Sequence, residues 1–454
     1  MAGADPNRIA RRTFLGGLAL GASASVLAGG PAGAARALSP RRRPWSTPSG
    51  YTPSGSLDVW VHESPPTNAL LETLIAEYQS ANPDVTVNLL AIPYADFETK
   101  ALTSTAADDG PDLVKLPSWS LADWADKGLL VPMDGAALGE GADAILSRFP
   151  GAVLPGVSFE DTLYALPVDY QNLMLFYNKE HFSEAGLDPD APPTTWEEVI
   201  EAGEALSQRD GDTVTRAGYL WWYTTPIWVY LEVDTLVSQL GGTILNEDGT
   251  EGNLSSDAGI QALNYYVDMS NTHNIASFDL VAPSVLDAFA GGTASMLISG
   301  SFTGPSIAAR TEDALSYDAG TLGVATIPTW TDNTADVTAA YSWGWGVTNN
   351  ADDPLLAGHF ADFLTQPEQA DRFFTDAGVA TPYEGWDTSP AATANPGNQL
   401  LVEQVDMSTY PVQTPKFANV MTELTNQIGT AVTGGGTGEQ VAEAFDQAMR
   451  RALR

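Results

Sequence analysis

The side chains best suited to chemistry in this sequence are aromatic, and they come in clusters. Trp119 and Trp124 fall within SWSLADW, a dense run reads Tyr219-Leu220-Trp221-Trp222-Tyr223, and Tyr341-Ser342-Trp343-Gly344-Trp345-Gly346 makes a third group. Flat aromatic faces stack on the C–H faces of sugars, and carboxylates and amides between them exchange hydrogen bonds with hydroxyls. That is the composition of a carbohydrate site. Tryptophan is often largely buried, so about half of these rings are expected in the core instead. Glycines flanking Trp343 and Trp345 argue for close backbone approach or a turn at the edge of an element. Covalent and metal chemistry have no comparable carrier. The chain contains no G-x-S-x-G, P-loop, G-x-G-x-x-G or H-E-x-x-H motif and no cysteine. Disulfides, zinc thiolates, thiol catalysis and cysteine-linked lipid are thereby excluded. The four histidines, His62, His181, His273 and His359, are scattered with no i, i+4 pair, so no metal or other cofactor is expected. Asn246-Glu247-Asp248-Gly249 has a calcium-like composition without the alternating ligands, and it reads as a tight turn with Gly249 at positive φ. No pair of carboxylates is marked out for glycoside hydrolysis.

The elements that must position these rings alternate strand and helix. At 454 residues the chain has room for two or three domains. Residues 57–61 read as a strand, Thr67 as the cap of a helix carrying Leu70, Leu71, Leu74, Ile75 and Tyr78, and residues 85–90 as the next strand. This β-α-β unit belongs in a mostly parallel sheet covered by helices. Further helices are expected around 196–208, 256–270, 354–365 and 438–453, the last with Thr437 and Gln440 as a capping box. The fold class is α/β, and such sheets bind ligands at strand carboxyl ends or between domains.

Charge separates the amino terminus from the rest. The whole chain carries 20 Lys+Arg against 57 Asp+Glu, a net of −37, so a nucleic-acid partner is excluded by repulsion. Seven of the basic residues, all arginine, lie in the first 43 positions beside a single acid, Asp5. Arg11-Arg12-Thr13-Phe14-Leu15 is followed by the small, mildly apolar run from Phe14 to Gly30 and by Ala35-Arg36-Ala37. Residues 1–37 therefore read as an export signal of the twin-arginine type, and 38–55 as a flexible leader rich in Pro, Ser and Gly. Setting the first 43 residues aside leaves 13 basic against 56 acidic side chains, a net of −43. Such an acidic, lysine-poor surface suits a salty exterior, where counter-ions screen its self-repulsion.

Over nearly all of the exported part, the sequence resembles the extracellular solute-binding proteins of ABC importers, in the sugar-binding, maltose-binding-protein-like branch. The resemblance is carried in order by five segments: residues 110–130, ALPVDYQNLMLFYNKEHFSEAGLDPDAPPTTWEEV at 165–199, GGTILNEDGT at 241–250, AFAGGTASMLISGSF at 288–302 and the run WGWGVTNNADDPLLAGHF onward at 343–382. It implies a two-lobe periplasmic-binding-protein fold with mixed, mostly parallel sheets and a hinge. Lobe 1 would be 56–168 with 329–382, and lobe 2 would be 169–328 with 383–454. The resemblance also places the ligand contacts. They are His62 and Glu63 after the first strand, Ser118 and Trp119, Asp169 and Gln171 at the first crossing, Trp222 and Tyr223, Phe302, Ser342, Trp343 and Trp345 on the return strand, and Tyr383. It implies no catalytic residue, and a monomer that hands a sugar or oligosaccharide to a membrane permease outside the cell. A polyamine or other small solute, and a secreted carbohydrate-active enzyme, are the alternatives.

Overall fold

The leading β-α-β unit forms where the apolar pattern puts it. Strand β1 (Gly55–His62) leads through helix α1 (Pro65–Ala81) to β2 (Val85–Ile92), and the two strands pair in parallel over their whole length. Helix α1 buries Leu70, Leu71, Leu74, Ile75 and Tyr78 on one face. It begins two residues before the expected cap: Ser64 is the N-cap and Pro65 opens the first turn, with Thr67 inside it. Proline at the first helical position costs no hydrogen bond and arrives with a helical φ, which explains the early start. The computed structural model describes residues 51–453 except 212, 282–283 and 334. The export signal at 1–37 and residues 38–50 of the leader lie outside the described residues.

The chain continues through α2 (Tyr94–Ala106), β3 (Leu113–Pro117) and α3 (Ser118–Asp126) to β4 (Ala165–Asn172) and β5 (Met174–Asn178). Next come α4 (Trp196–Leu206), α5 (Pro226–Gln239), α6 (Asp257–Asn271), α7 (Val285–Ala290), β6 (Met296–Ser299), α8 (Thr303–Arg310) and β7 (Leu322–Thr326). The remainder is β8 (Thr338–Val347), α9 (Pro354–Leu364), α10 (Pro367–Ala377), β9 (Ser408–Thr409), α11 (Phe417–Gly434) and α12 (Gly438–Ala452). The four further helices expected from the sequence are thus α4, α6, α9 and α12, and the Thr437/Gln440 capping box is formed in full.

Helix α5 has no counterpart in the periodic reading. Twelve of its 14 residues are buried, among them Glu232 and Asp234. A helix wrapped on all sides has no polar face to give it a period, which is why the pattern hides it. It packs on β8, α6 and α11.

Two sheets organise the described residues. A six-stranded mixed sheet runs β9-β8-β3-β1-β2, with β4 also on β8. β1 is parallel to β2 and β3, while β8 is antiparallel to β3 and β4. An antiparallel three-stranded sheet runs β6-β5-β7. Leu173 alone separates β4 in the first sheet from β5 in the second. Its N–H donates to Thr338 Oγ1 at 3.2 Å, and Gln404 Nε2 donates to its carbonyl at 3.1 Å. The 246–249 segment is the expected turn: Asn246 Oδ1 accepts from the Thr250 and Glu251 amides at 2.8 and 3.0 Å, and Gly249 has φ 66°. No helix among the described residues is long and apolar enough to cross a membrane.

Candidate ligand cavity

Elements around both sheets line a cavity of about 250 Å³. The six-stranded sheet and its helices contribute His62 and Glu63 from the end of β1, Tyr94 from α2, Lys115 from β3, Trp119 from α3, Asp169 from β4, and Tyr341 and Trp343 from β8. The opposite wall is Trp222, Ile227, Trp228 and Leu231 with Phe302, Ser306 and Arg310.

The rings form an almost continuous chain across this space. Trp222 stacks on Trp228 at 4.6 Å and 16°, and Trp228 meets Tyr341 edge-on at 5.5 Å. Trp119 lies 6.1 Å from Tyr341 and stands edge-on to Trp343 at 5.2 Å, and Trp343 covers His62 at 4.4 Å. Their outer edges are pinned by hydrogen bonds. Trp119 Nε1 donates to both carboxylate oxygens of Glu98 at 3.0 Å, and Trp222 Nε1 donates to the Ile298 carbonyl at 2.8 Å. Fixed rings lose little entropy when a ligand arrives, so the wall is preorganised.

Charged groups sit between the rings. Asp169 is 6% exposed, and burial raises its carboxyl to about 6, opposed by the nearby Lys115 ammonium and by the Gln171 amide. Gln171 Nε2 donates to Asp169 Oδ1 at 2.7 Å. Burial lowers the Lys115 ammonium, opposed by Asp169, and it holds His62 well below the usual histidine range with help from the Lys115 charge. His62 is therefore neutral at physiological pH. Glu98, behind Trp119, is raised by burial against the pull of its Ser120 and Trp119 hydrogen bonds. No group of three His, Asp or Glu side chains among the described residues is arranged to hold a metal ion.

Seven of the thirteen expected contacts line the cavity: His62, Glu63, Trp119, Asp169, Trp222, Phe302 and Trp343. The other six are turned elsewhere. Gln171 is fully buried as a brace, accepting from the Ser301 amide and hydroxyl at 2.8 and 2.9 Å and donating to the Gly378 carbonyl at 3.0 Å. Ser342 alternates to the opposite face of β8 from Tyr341 and Trp343; its amide donates to Ser118 Oγ at 3.2 Å, and its hydroxyl bonds Tyr410. Ser118 accepts in that contact and does not line the cavity. Trp345 keeps the face of Trp343 but sits two residues further along β8, buried among Val61, Leu71 and Phe373 and outside the cavity wall. Tyr223 points away from Trp222 to hydrogen-bond Ser270 at 2.6 Å, and Tyr383 donates to Asp371 at 2.7 Å. The expectation missed Tyr94, Lys115, Trp228, Tyr341 and Arg310. Strand parity with Trp343 could have found Tyr341. A lone lysine in the otherwise apolar run LVKLP could have flagged Lys115, since a charge at a buried strand position needs a reason.

Superposition on solved structures defines the class. An ABC transporter solute-binding protein from Thermotoga lettingae, bound with α-D-tagatose, matches with a TM-score of 0.78 at 21% identity over 88% of this chain and 100% of that one. An ABC substrate-binding protein from Listeria monocytogenes in complex with cycloalternan matches with a TM-score of 0.76 at 21% identity, covering 88% and 99%. The architecture is thus the α/β periplasmic-binding-protein fold with mixed sheets. The model of the bacterial extracellular solute-binding protein family matches residues 63–371, more than half of the chain, and the protein belongs to that family. The arabinooligosaccharide-binding protein of Halalkalibacterium halodurans is 24% identical over 348 residues, 74% of each chain. Family membership makes this a solute-binding protein and not an enzyme.

Proposed function

We propose that this protein is the substrate-binding component of an ABC importer that captures a sugar or oligosaccharide outside the membrane and delivers it to a permease. The observation that carries this reading is the run of rings from Trp222 through Trp228, Tyr341, Trp119 and Trp343 to His62, interrupted by Glu63, Asp169, Lys115 and Arg310. Ring faces take the apolar side of a pyranose or furanose, and charged groups take its hydroxyls. The Lys115 ammonium in the wall counts against the polyamine that the sequence leaves open, Arg310 being paired with Asp287 at 3.1 Å.

The described residues form one compact unit, and within it we read two lobes, 56–168 with 329–382 and 169–328 with 383–454. The change of sheet at Leu173, and again between Thr326 and Thr338, supports crossings close to these bounds. Closure of the lobes over the solute excludes water, and the solute favours the closed state only by its differential affinity for it. Micromolar affinity corresponds to about 8 kcal/mol, within reach of a few stacked rings and charge-assisted hydrogen bonds. We read residues 1–37 as a twin-arginine-type export signal and the exported protein as a monomer.

The test is a titration of intrinsic tryptophan fluorescence, backed by calorimetry, with arabino-oligosaccharides, D-tagatose, maltotriose, lactose and mannitol, and with spermidine as the cationic control. Micromolar binding of at least one saccharide is expected. A response to spermidine alone overturns the carbohydrate reading.

A further inference from the structure

Lys115 was not among the contacts expected from the sequence, and its surroundings leave its charge unanswered. It is 3% exposed on β3, a strand of five residues that are all buried. Among the described residues its Nζ makes no hydrogen bond and no ion pair within 4.0 Å, although it is a wall residue of the cavity. Neither is Nζ among the buried side-chain atoms sealed from solvent without a partner, and Lys115 lines both this cavity and the small void it shares with Val61, Leu71 and Trp345. Its Nζ lies 5.3 Å above the Trp343 ring. A cation–π contact returns less than the desolvation of a buried ammonium costs. The site is therefore built to be completed by an acceptor that the protein does not supply.

Asp169 stands on the other side of β8. Lys115 pairs in register with Trp345 from one edge of that strand, and Asp169 pairs with Trp343 from the other. Asp169 Oδ1 takes the Gln171 amide, and Oδ2 has no hydrogen bond among the described residues. A donor-only ammonium and a free carboxylate oxygen thus flank one tryptophan, attracted but too far apart to bond directly. A hydroxyl fits between them because it accepts with its oxygen and donates with its proton. Of the two cations in the wall, Arg310 is already paired with Asp287 at 3.1 Å, so Lys115 alone faces Glu63 and Asp169.

We infer that Lys115 is the specificity-determining residue of the cavity: with Asp169 it forms a charged donor–acceptor pair that reads one or two adjacent ring hydroxyls of a neutral saccharide. The inference deepens the proposed function and rests on it. A uronate carboxylate at that point answers Lys115 but has no proton to give Asp169 and meets it as a like charge, so a neutral hydroxyl is preferred.

The experiment is calorimetry on the full exported chain with the saccharides above, and with D-galactose against D-galacturonate and D-glucose against D-glucuronate. Lys115→Met keeps the length of the side chain and removes its donors. It is expected to weaken the saccharide that the unaltered protein binds by about 10–100-fold, the usual worth of a charge-assisted hydrogen bond. Lys115→Gln keeps an uncharged donor and should recover part of the loss, which a merely space-filling role does not allow. Circular dichroism on both variants establishes that they are folded. Equal affinity in Lys115→Met and the unaltered protein overturns this inference and leaves the saccharide reading standing, as does tighter binding of a uronate than of its neutral parent. Failure of the unaltered protein to bind any saccharide overturns both.

Discussion

Gln171 lies at the crossing of the two sheets and decides between two accounts of the cavity. Replacing it by leucine keeps its approximate volume and deletes its hydrogen bonds. Those are the acceptor contacts from the Ser301 amide and hydroxyl at 2.8 and 2.9 Å, and the donor contacts to Asp169 and the Gly378 carbonyl at 2.7 and 3.0 Å. Because the Ser301 hydroxyl also donates to Gly378 at 2.6 Å, its single proton is not lost twice. A neutral bond is worth about 1 kcal/mol net and one to a carboxylate about 1.5–3 kcal/mol, and the Ser301 amide is left orphaned in the interior. The expected cost is about 3–5 kcal/mol, a large share of the 5–15 kcal/mol that holds a typical protein together. Equilibrium urea unfolding, followed by tryptophan fluorescence and circular dichroism, measures it by linear extrapolation. Gly300→Ala attacks the same cluster from the other side. Its new Cβ comes within 2.5 Å of Gln171 Oε1 and 2.8 Å of Tyr341 Oη, so the two losses should be less than additive when combined. A stability loss under about 1 kcal/mol in Gln171→Leu, joined to a large loss of affinity, would refute the bracing role. It would restore the ligand contact that the family resemblance implies.

Saccharide binding should weaken as pH falls through about 6, where Asp169 is protonated and stops accepting. The sign for folding is opposite. This carboxyl is raised in the folded state, so its contribution to stability is full below the ordinary aspartate range and is lost as pH rises through about 6. Calorimetry from pH 5 to 8 tests the binding half, and a flat profile contradicts a contact with Asp169. Trp228→Ala and Trp343→Ala should each weaken binding at least tenfold and strip most of the fluorescence response, since each removes a link in the chain of rings. Normal binding by both variants means the cavity is not the site. A net of −43 beyond residue 43 should make the melting temperature climb between 0.01 and 1 M NaCl, as the Debye length shrinks from about 30 to 3 Å. Full stability in dilute buffer argues against the salty habitat.

What could be read from the sequence follows the physics of each element. Helices α1, α4, α6 and α12 each show one apolar face to the core, so periodicity exposes them; α9, with nine of its 11 residues buried, is marked instead by the Asp353 cap and Pro354 at its start. Helix α5 is apolar nearly all round and leaves no such trace, and Trp228 was lost with it. Cluster composition located the rings of the cavity wall but not their direction. Trp222 and Tyr223 are neighbours in sequence, yet one faces the cavity and the other α6. On β8 the parity of the strand separates Ser342 from Trp343, while Trp345 shares the face of Trp343 but lies two residues further along, covered by Val61, Leu71 and Phe373. Polar residues were the hardest to place: Gln171 and Ser118 look like ligand groups by type, and only the tertiary structure shows which backbone amides and carbonyls have already claimed them.

The carboxylate of Asp446, on the last helix, accepts from the amides of Leu254 and Ser255 at 2.9 Å, across 192 and 191 residues of chain. At a ribosomal pace of about 5–20 residues per second, roughly 10–40 s pass between synthesis of the two partners. During that interval the start of α6 has no Asp446 to receive it. This region therefore cannot close until residue 446 has been made, whatever else of the fold has formed by then. Any machinery that accepts only folded proteins has, in the seating of Asp446, a long-range step to wait for.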